Sequence, residues 1–341
     1  MNKKPIVSVV MPVYNCQEYL PEAIESILEQ TYQEFEFIII DDGSTDNTSL
    51  ILSTFEKKDS RIKVIRQKNQ GIVSALNNGI ANSQGEYIAR MDADDISYPQ
   101  RIELQVKFMT QNQEVGVVGC FWQIIDAMGK INSRNDYSAT THLEIIWALC
   151  SSNPIAHPGV MFRKSAFEKV NGYRELYRHA EDYDLWVRLA NEVKYFVIPQ
   201  PLIFLRKHKE NITTVFFQES LNNSIEISRN MVSQILKTPI PRDAILPLWI
   251  KQTKEKYESL RCAKLLIRLT KNFQKSYALT KTEKEFFKQE TLKKLTGLMH
   301  LRFFTIESLK ILFLAMQFSA VQTSRIMINK IFHHRRMDSN E

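Results

Sequence analysis

Three carboxylates, Asp92, Asp94 and Asp95, fall within four residues at the end of the run Tyr87-Ile-Ala-Arg-Met-Asp-Ala-Asp-Asp95. Strands favour β-branched and aromatic residues and disfavour Asp, so these acids belong just past a strand's carboxyl end. In open α/β sheets that edge is where ligands bind. Asp92 and Asp94, two residues apart, can both face one crevice, and such a pair repels itself unless a cation lies between them. Hard divalent cations with oxygen ligands, Mg²⁺ or Mn²⁺, suit that place and keep contacts to substrate phosphates. One reading is therefore a metal–diphosphate site. The other is a solvated acidic turn, or a cluster capping a helix ahead of Pro99.

Further polar clusters punctuate the front of the chain. Glu181-Asp182 opens the stretch Ala180 to Ala190, in which Leu185, Trp186 and Leu189 lie on or near one helical face. Both acids lie in the first turn, where they suit the helix dipole. Asp41-Asp42-Gly43-Ser44 is a ligand-facing corner or ordinary turn chemistry. Asn69-Gln70-Gly71 lets the backbone turn close to a ligand. His157 reads as a structural or loop histidine, Trp186 as core with acceptor contact as the alternative, and His333 and His334 as tail charge.

These clusters need elements to position them. Ile6 to Met11 and Phe35 to Ile40 are short, nearly continuous apolar runs, as expected of strands covered on both faces. Between them Leu20, Ala23, Ile24, Ile27 and Leu28 have helical spacing, which makes one βαβ unit. Asp46-Asn-Thr48 is placed as the cap of a helix through Phe55. A strand at Ile62–Ile65, a helix from Gly71 to Asn82 and a strand at Tyr87–Met91 continue the alternation. Strand then helix, repeated, predicts a mostly parallel sheet with helices on both faces. The clusters Pro12–Asn15, Asp41–Ser44, Lys68–Gly71 and Asp92–Asp95 then converge on one sheet edge. Past Pro99 we expect a helix to about Asn112 and strands at Val115–Cys120, from His157 to Phe162, at Tyr195–Ile198 and at Leu202–Arg206. Residues 121–140 give no clear pattern. From about 215 onward the spacing is helical and glycine nearly vanishes.

At 341 residues the chain predicts about two domains. The four cysteines stand far apart without a Cys-x-x-Cys, which argues against a zinc site or a disulfide framework and fits a reducing cytoplasm. The start shows no secretory pattern, so the expectation is a chain that is not secreted. Charge is divided unevenly. Residues 221–341 hold 22 Lys and Arg against 10 Asp and Glu, a net of +12, and the front part carries −5. Such asymmetry points to an anionic partner surface, membrane or nucleic acid. The front part lacks a basic stripe with interleaved aromatics and any Gly-rich phosphate loop, which argues against nucleic acid. Leu309 to Ile331 is apolar but interrupted by charge, too short a clean run to span a bilayer. With its basic flank His333 to Arg336 it reads as an amphipathic helix for a membrane interface. Packing on the protein or on a second copy in a homodimer is the alternative.

The ordered motifs Val9-Val-Met-Pro-Val-Tyr-Asn15, Asp41-Asp-Gly-Ser-Thr-Asp-Asn-Thr48, Asn69-Gln-Gly71 with Asn77-x-Gly79, Asp92-Ala-Asp-Asp95, and Glu181-Asp182 with Trp186 and Arg188 resemble the family 2 glycosyltransferases. The resemblance covers about residues 5–210. It implies a GT-A fold: a Rossmann-like, mostly parallel sheet with helices on both faces, here followed by a C-terminal α-helical appendage. The catalytic domain would be residues 1–214, with a nucleotide-binding half to about 115 and an acceptor half over 116–214. The basic helical region would be 215–341. It implies transfer of a sugar, with inversion, from a nucleoside-diphosphate donor, a UDP-sugar being favoured, to a glycan or lipid-linked acceptor in cell-surface glycan assembly. Pro12, Tyr14 and Asp42 would hold the base, and Asn15, Asp41, Asn69 and Gly71 serve the same pocket. Asp92 would reach the ribose or a metal-bound water, Asp94 would bind Mn²⁺ or Mg²⁺, and Asp182 would be the general base. His208, in Arg206-Lys-His208, resembles a late histidine that helps ligate metal or diphosphate. The expected location is the cytoplasm, peripheral at the inner face of the cell membrane. Two other classes compete: a metal-dependent phosphohydrolase, although no Asp follows the first strand, and a non-catalytic nucleotide-sugar-binding module.

Overall fold

The computed structural model describes residues 5–134, 139–209, 211–249, 256–298 and 308–317. Strand β1 (Val7–Val13) is buried along its whole length, as a strand covered on both faces must be. Helix α1 (Leu20–Leu28) follows and buries Leu20, Ala23, Ile24 and Ile27 against the sheet. The alternation continues through β2 (Phe35–Asp41), α2 (Thr48–Lys58), β3 (Ile62–Arg66), α3 (Ile72–Ala81) and β4 (Tyr87–Arg90). Strands β1 to β4 pair in parallel in the order β3-β2-β1-β4. Val13 is level with Asp41, and Val10 with Arg90, so the polar segments after β1, β2 and β4 leave one edge together.

The second half of the sheet is mixed. It contains β5 (Ile96–Ser97), α4 (Arg101–Gln111), β6 (Val115–Asp126), β7 (Ile131–Arg134), α5 (His142–Leu149), β8 (Met161–Arg163), α6 (Lys164–Lys169), α7 (Glu181–Leu189) and β9 (Lys194–Lys207). Strand β8 runs antiparallel to both β4 and β6, and β9 is parallel to β6. The order extends as β4-β8-β6-β9-β5, with β7 on β6.

Several local expectations need correction. The unclear stretch 121–140 is partly strand: β6 continues to Asp126 and β7 follows. The two strands expected at Tyr195–Ile198 and Leu202–Arg206 are one, β9, whose register against β6 slips near Pro201. His157 to Gly159 is a single 3₁₀ turn, and the strand begins only at Met161. Asn47 takes the N-cap position of α2 without a side-chain cap; Asp46 Oδ1 instead accepts from Thr48 N at 2.9 Å.

The chain divides into two compact units, residues 1–149 with 153–223, and 150–152 with 224–341. The first ends in α8 (Ile212–Val215) and the start of α9 (Phe217–Leu236). The second contains the rest of α9, α10 (Arg242–Ile245), α11 (Lys256–Ser276), α12 (Lys281–Leu298) and a helix over 308–317. Its core includes Cys262, Leu266, Leu292, Leu295 and Ile311. Among the described residues no helix is long and apolar enough to cross a membrane. Of the stretch Leu309–Ile331, the part beyond Gln317 and the flank His333–Arg336 lie outside the described residues.

Candidate active site

A cavity of about 810 Å³ opens at the carboxyl edge of the first unit. Asp92, Asp94 and Asp95 reach it from the loop after β4, Glu181 and Asp182 from the first turn of α7, and Arg206 and His208 from the end of β9. Residues ninety to more than a hundred positions apart in sequence therefore share one space because β4 and β9 leave the sheet beside it.

The acidic loop offers three carboxylate oxygens within 4.8 Å of one another. Asp95 is buried, and burial followed by the charges of Asp94 and Asp92 holds its carboxyl well above the usual range. Its Oδ1 accepts from Arg206 N at 2.8 Å. Asp92 forms an ion pair with Arg90, a side chain only 3% exposed whose Nε has no hydrogen-bond partner. His208 Nε2 lies 2.9 Å from Asp94 Oδ2. That is a hydrogen-bonding distance, and adjacent ligands of an octahedral cation with bonds near 2.1 Å also stand about 3 Å apart. Hard carboxylate oxygens and one imidazole nitrogen suit Mg²⁺ or Mn²⁺.

Asp182 lines the same cavity. Its Oδ2 accepts from Asn153 Nδ2 at 2.7 Å and its Oδ1 from Tyr183 N at 2.7 Å. Burial raises its pKa, opposed by those hydrogen bonds and by the charge of Arg90. Burial and then the charge of Asp182 push Glu181 up to about 7, and its Oε2 has no partner. Burial is the leading cause of the rise at both acids. His157 is a structural histidine, buried in its 3₁₀ turn beside the cavity. Its Nε2 meets Tyr173 OH at 2.7 Å, and burial followed by Arg90 holds it well below its ordinary pKa.

The residues expected to hold a nucleotide gather at the ends of β1 and β2. Pro12 is buried within β1 and Tyr14 is half exposed. Asn15, with φ +48°, donates from its N–H to Ser44 Oγ at 3.0 Å and accepts from Thr45 N at 2.7 Å. Asp41 accepts from Ser44 N at 3.0 Å and from the Ser49 hydroxyl. Asp42 accepts three hydrogen bonds, from Gln67 Nε2, Gln70 N and Gly71 N, all between 2.8 and 2.9 Å. It therefore anchors the loop that carries Asn69. Gly71 has φ +87° and caps α3. The lining of the 810 Å³ cavity takes in Asp92, Asp94, His208 and Asp182, and none of Pro12, Tyr14, Asn15, Asp41, Asp42, Asn69 or Gly71.

Sequence reasoning passed over Arg90, Arg206, Asn153 and Asn211, which hold the acids. The signal was available for Arg90. A charged residue inside an otherwise apolar strand run is rarely buried without a partner, and Asp92 stands two positions on.

The profile of the family described as Glycosyl transferase family 2 matches residues 8–170. EpsE of Bacillus subtilis, named a glycosyltransferase, is 36% identical over 230 residues, covering 66% of this chain and 81% of that protein. The O-antigen biosynthesis glycosyltransferase WbnJ of Escherichia coli is 33% identical over 210 residues, covering 60% and 81%. Among solved structures, Staphylococcus aureus TarS 1–349 in complex with UDP-GlcNAc superposes with a TM-score of 0.57 at 18% identity, over 85% of this chain and 86% of that one. A mannosyltransferase from Pyrobaculum calidifontis in complex with GDP-Man and Mn²⁺ gives a TM-score of 0.51 at 17% identity, over 94% and 88%. At such identities these two structures speak to the fold alone.

Proposed function

This chain belongs to glycosyl transferase family 2, and on that premise we propose that it moves a sugar from a nucleoside diphosphate to an acceptor hydroxyl with inversion at the anomeric carbon. One observation carries the reading: Asp92, Asp94, His208 and Asp182 line a single cavity. Inversion takes one displacement. The acceptor oxygen bonds to the anomeric carbon as the bond from that carbon to the diphosphate oxygen breaks. The hydroxyl proton passes to the Asp182 carboxylate, and the electron pair leaves with the diphosphate. Asn153 and the Tyr183 N–H orient that carboxylate. Glu181, which holds its proton up to about pH 7, can offer a hydrogen bond from its unpartnered side to a bound hydroxyl. Asp94, Asp92 and His208 would hold Mg²⁺ or Mn²⁺, whose Lewis acidity neutralises charge on the departing diphosphate.

A UDP-sugar is the donor we favour. Pro12, Tyr14, Asn15, Asp41, Asp42, Asn69 and Gly71 are the residues we assign to the nucleotide. The acceptor is a glycan or lipid-linked saccharide. The setting is the cytoplasm, with peripheral contact to the inner face of the membrane, which the +12 charge of residues 221–341 favours.

The test is thermal unfolding with UDP, GDP, CDP and dTDP, each with and without Mn²⁺, on wild type and Asp94→Ala. A ligand that binds only the native state adds about 2.7 kcal/mol at ~100 times its dissociation constant. One diphosphate should raise the midpoint in a metal-dependent way, and Asp94→Ala should abolish that rise. Equal shifts in wild type and variant would overturn the metal assignment.

A further inference from the structure

Arg206, His208 and Asn211 lie against the acidic loop and are fastened to it at two points. At one end Arg206, 4% exposed, donates from its backbone N to Asp95 Oδ1 at 2.8 Å and from Nε to Asp94 O at 2.9 Å. Its Nη2 donates to Glu22 Oε2 at 2.5 Å and its Nη1 to Ala127 O at 3.2 Å, while the guanidinium lies 4.8 Å over the Tyr19 ring. At the other end Asn211 Oδ1 accepts from His208 N at 2.6 Å. Asn211 Nδ2 donates to Asp94 Oδ2 and to Arg206 O, both at 3.2 Å. Between the two ends His208 packs on Tyr19, ring centroids 4.9 Å apart, with its Nε2 2.9 Å from Asp94 Oδ2.

His208 and Asp94 come from segments more than a hundred residues apart, and ring packing alone permits an imidazole to slide. Asp94 and His208 gain affinity for a cation only if their separation is fixed before the ion arrives, because otherwise binding must also order them. The contacts that fix it belong to Arg206 and Asn211. Arg206 ties the end of β9 to the backbone of Asp94 and to α1. Asn211 ties the His208 backbone to the Asp94 carboxylate directly. Asn211 is not itself placed as a ligand: its amide oxygen is turned toward His208 N–H, and the nitrogen that faces Asp94 can only donate.

We propose that Arg206 and Asn211 are positioning residues that hold His208 Nε2 beside Asp94 Oδ2, so that the affinity of the site for a divalent cation is set in part by two side chains that are not its ligands. This rests on the reading of Asp94 and His208 as cation ligands. Residues that orient ligands typically govern metal affinity by about 10- to 100-fold.

The experiment is a Mn²⁺ titration of the whole protein, without nucleotide, read from the electron paramagnetic resonance signal of free Mn²⁺. It uses wild type, Asn211→Ala, Asn211→Gln, Arg206→Lys, His208→Ala and the double variant His208→Ala/Asn211→Ala. Asn211→Ala and Arg206→Lys should weaken binding about 10- to 100-fold. Asn211→Gln, which keeps both an oxygen for His208 N–H and an amide donor for Asp94, should restore part of it. In the His208→Ala background Asn211→Ala should change little, because its effect passes through that imidazole. Full additivity of the two alanine changes, or wild-type affinity in Asn211→Ala, would overturn the proposal while leaving the cation site standing. Absence of Mn²⁺ binding by wild type would remove the cation reading as well, and with it this one.

Discussion

Both carboxylate oxygens of Asp182 have a donor in place, Asn153 Nδ2 on one and Tyr183 N on the other. A base held this way points its remaining lone pairs in fixed directions, which is what proton transfer from a bound hydroxyl requires. Asp182→Asn keeps the shape and removes the basicity. It should lower kcat by about 10²- to 10⁴-fold with nucleotide binding within about two-fold of wild type in a titration. A kcat near the wild-type value would exclude Asp182 as the base. Glu181 gives a second, independent expectation, through stability. Its folded pKa, about 7, lies above the ordinary 4.5, so between those values the native state holds a proton that the unfolded chain has lost. Stability therefore falls as pH rises through that window, by about 3 kcal/mol in all from this group. Asp182, Arg90 and Asp92 are the charges that act on it. Glu181→Gln should flatten the fall in unfolding midpoint between pH ~5 and pH ~8, and a variant as pH-sensitive as wild type would refute the assignment. Asp182 and Asp94 could be picked out as candidate site residues from sequence, because acids next to strand and helix ends have a chemical meaning. The supporting residues could not: Asn153, Asn211 and Arg206 look like any surface polar side chain until tertiary structure gives them partners.

Elements were legible where periodicity was strong and lost where burial was polar. Strands β1 to β4 and helices α1 and α3 follow from apolar runs and 3.6-residue spacing. Helix α4 was expected too, but not its inner face. Arg101 and Gln105 are fully buried there, and Gln105 Nε2 donates to Gly159 O at 2.8 Å while Arg101 bonds Pro158 O. These two side chains hold the 3₁₀ turn that puts His157 and Pro158 on the cavity wall, and their residue types read as solvated in sequence. The turn after β2 illustrates the converse. Asp41-Asp42-Gly43-Ser44 was visible as turn chemistry, and the structure gives the reason for its glycine. Gly43 has φ +77°, and a Cβ there would stand 2.8 Å from Asn69 N. The backbone of residues 67–71 thus packs directly on the turn that carries Asp42. Gly43→Ala should cost at least about 1 kcal/mol of stability. It should also weaken nucleotide binding, since the loop anchored on Asp42 must shift. Differential scanning calorimetry reads the first effect and a UDP titration the second. Unaltered UDP affinity in a destabilised variant would separate this turn from the nucleotide pocket.

The whole chain carries its charge unevenly, +12 over residues 221–341 against −5 before them. An anionic surface should therefore attract the back part over a distance set by the Debye length, about 8 Å at physiological salt and about 3 Å at 1 M. Charge alone predicts binding that vanishes at high salt. The helix over 308–317 adds a different contribution. It buries Ile311 and Ala315 in the core of its unit yet leaves Leu309, Phe313 and Met316 exposed on the opposite side. Leu309 and Phe313 line a groove with Lys264 and Lys310. An apolar stripe flanked by lysines suits a lipid interface, where the side chains enter the headgroup region and the ammonium groups meet phosphate. The full-length protein should float with phosphatidylglycerol-containing vesicles and not with pure phosphatidylcholine. Raising salt to about 1 M should remove most of that binding and leave a residue that depends on apolar contact. Leu309→Ser with Phe313→Ser should abolish the residue and spare the low-salt binding. Equal flotation with both vesicle types would refute the electrostatic part. If the serine variant instead halves the mass measured by light scattering, the stripe is a homodimer interface, and the charge of the back part must find its partner elsewhere.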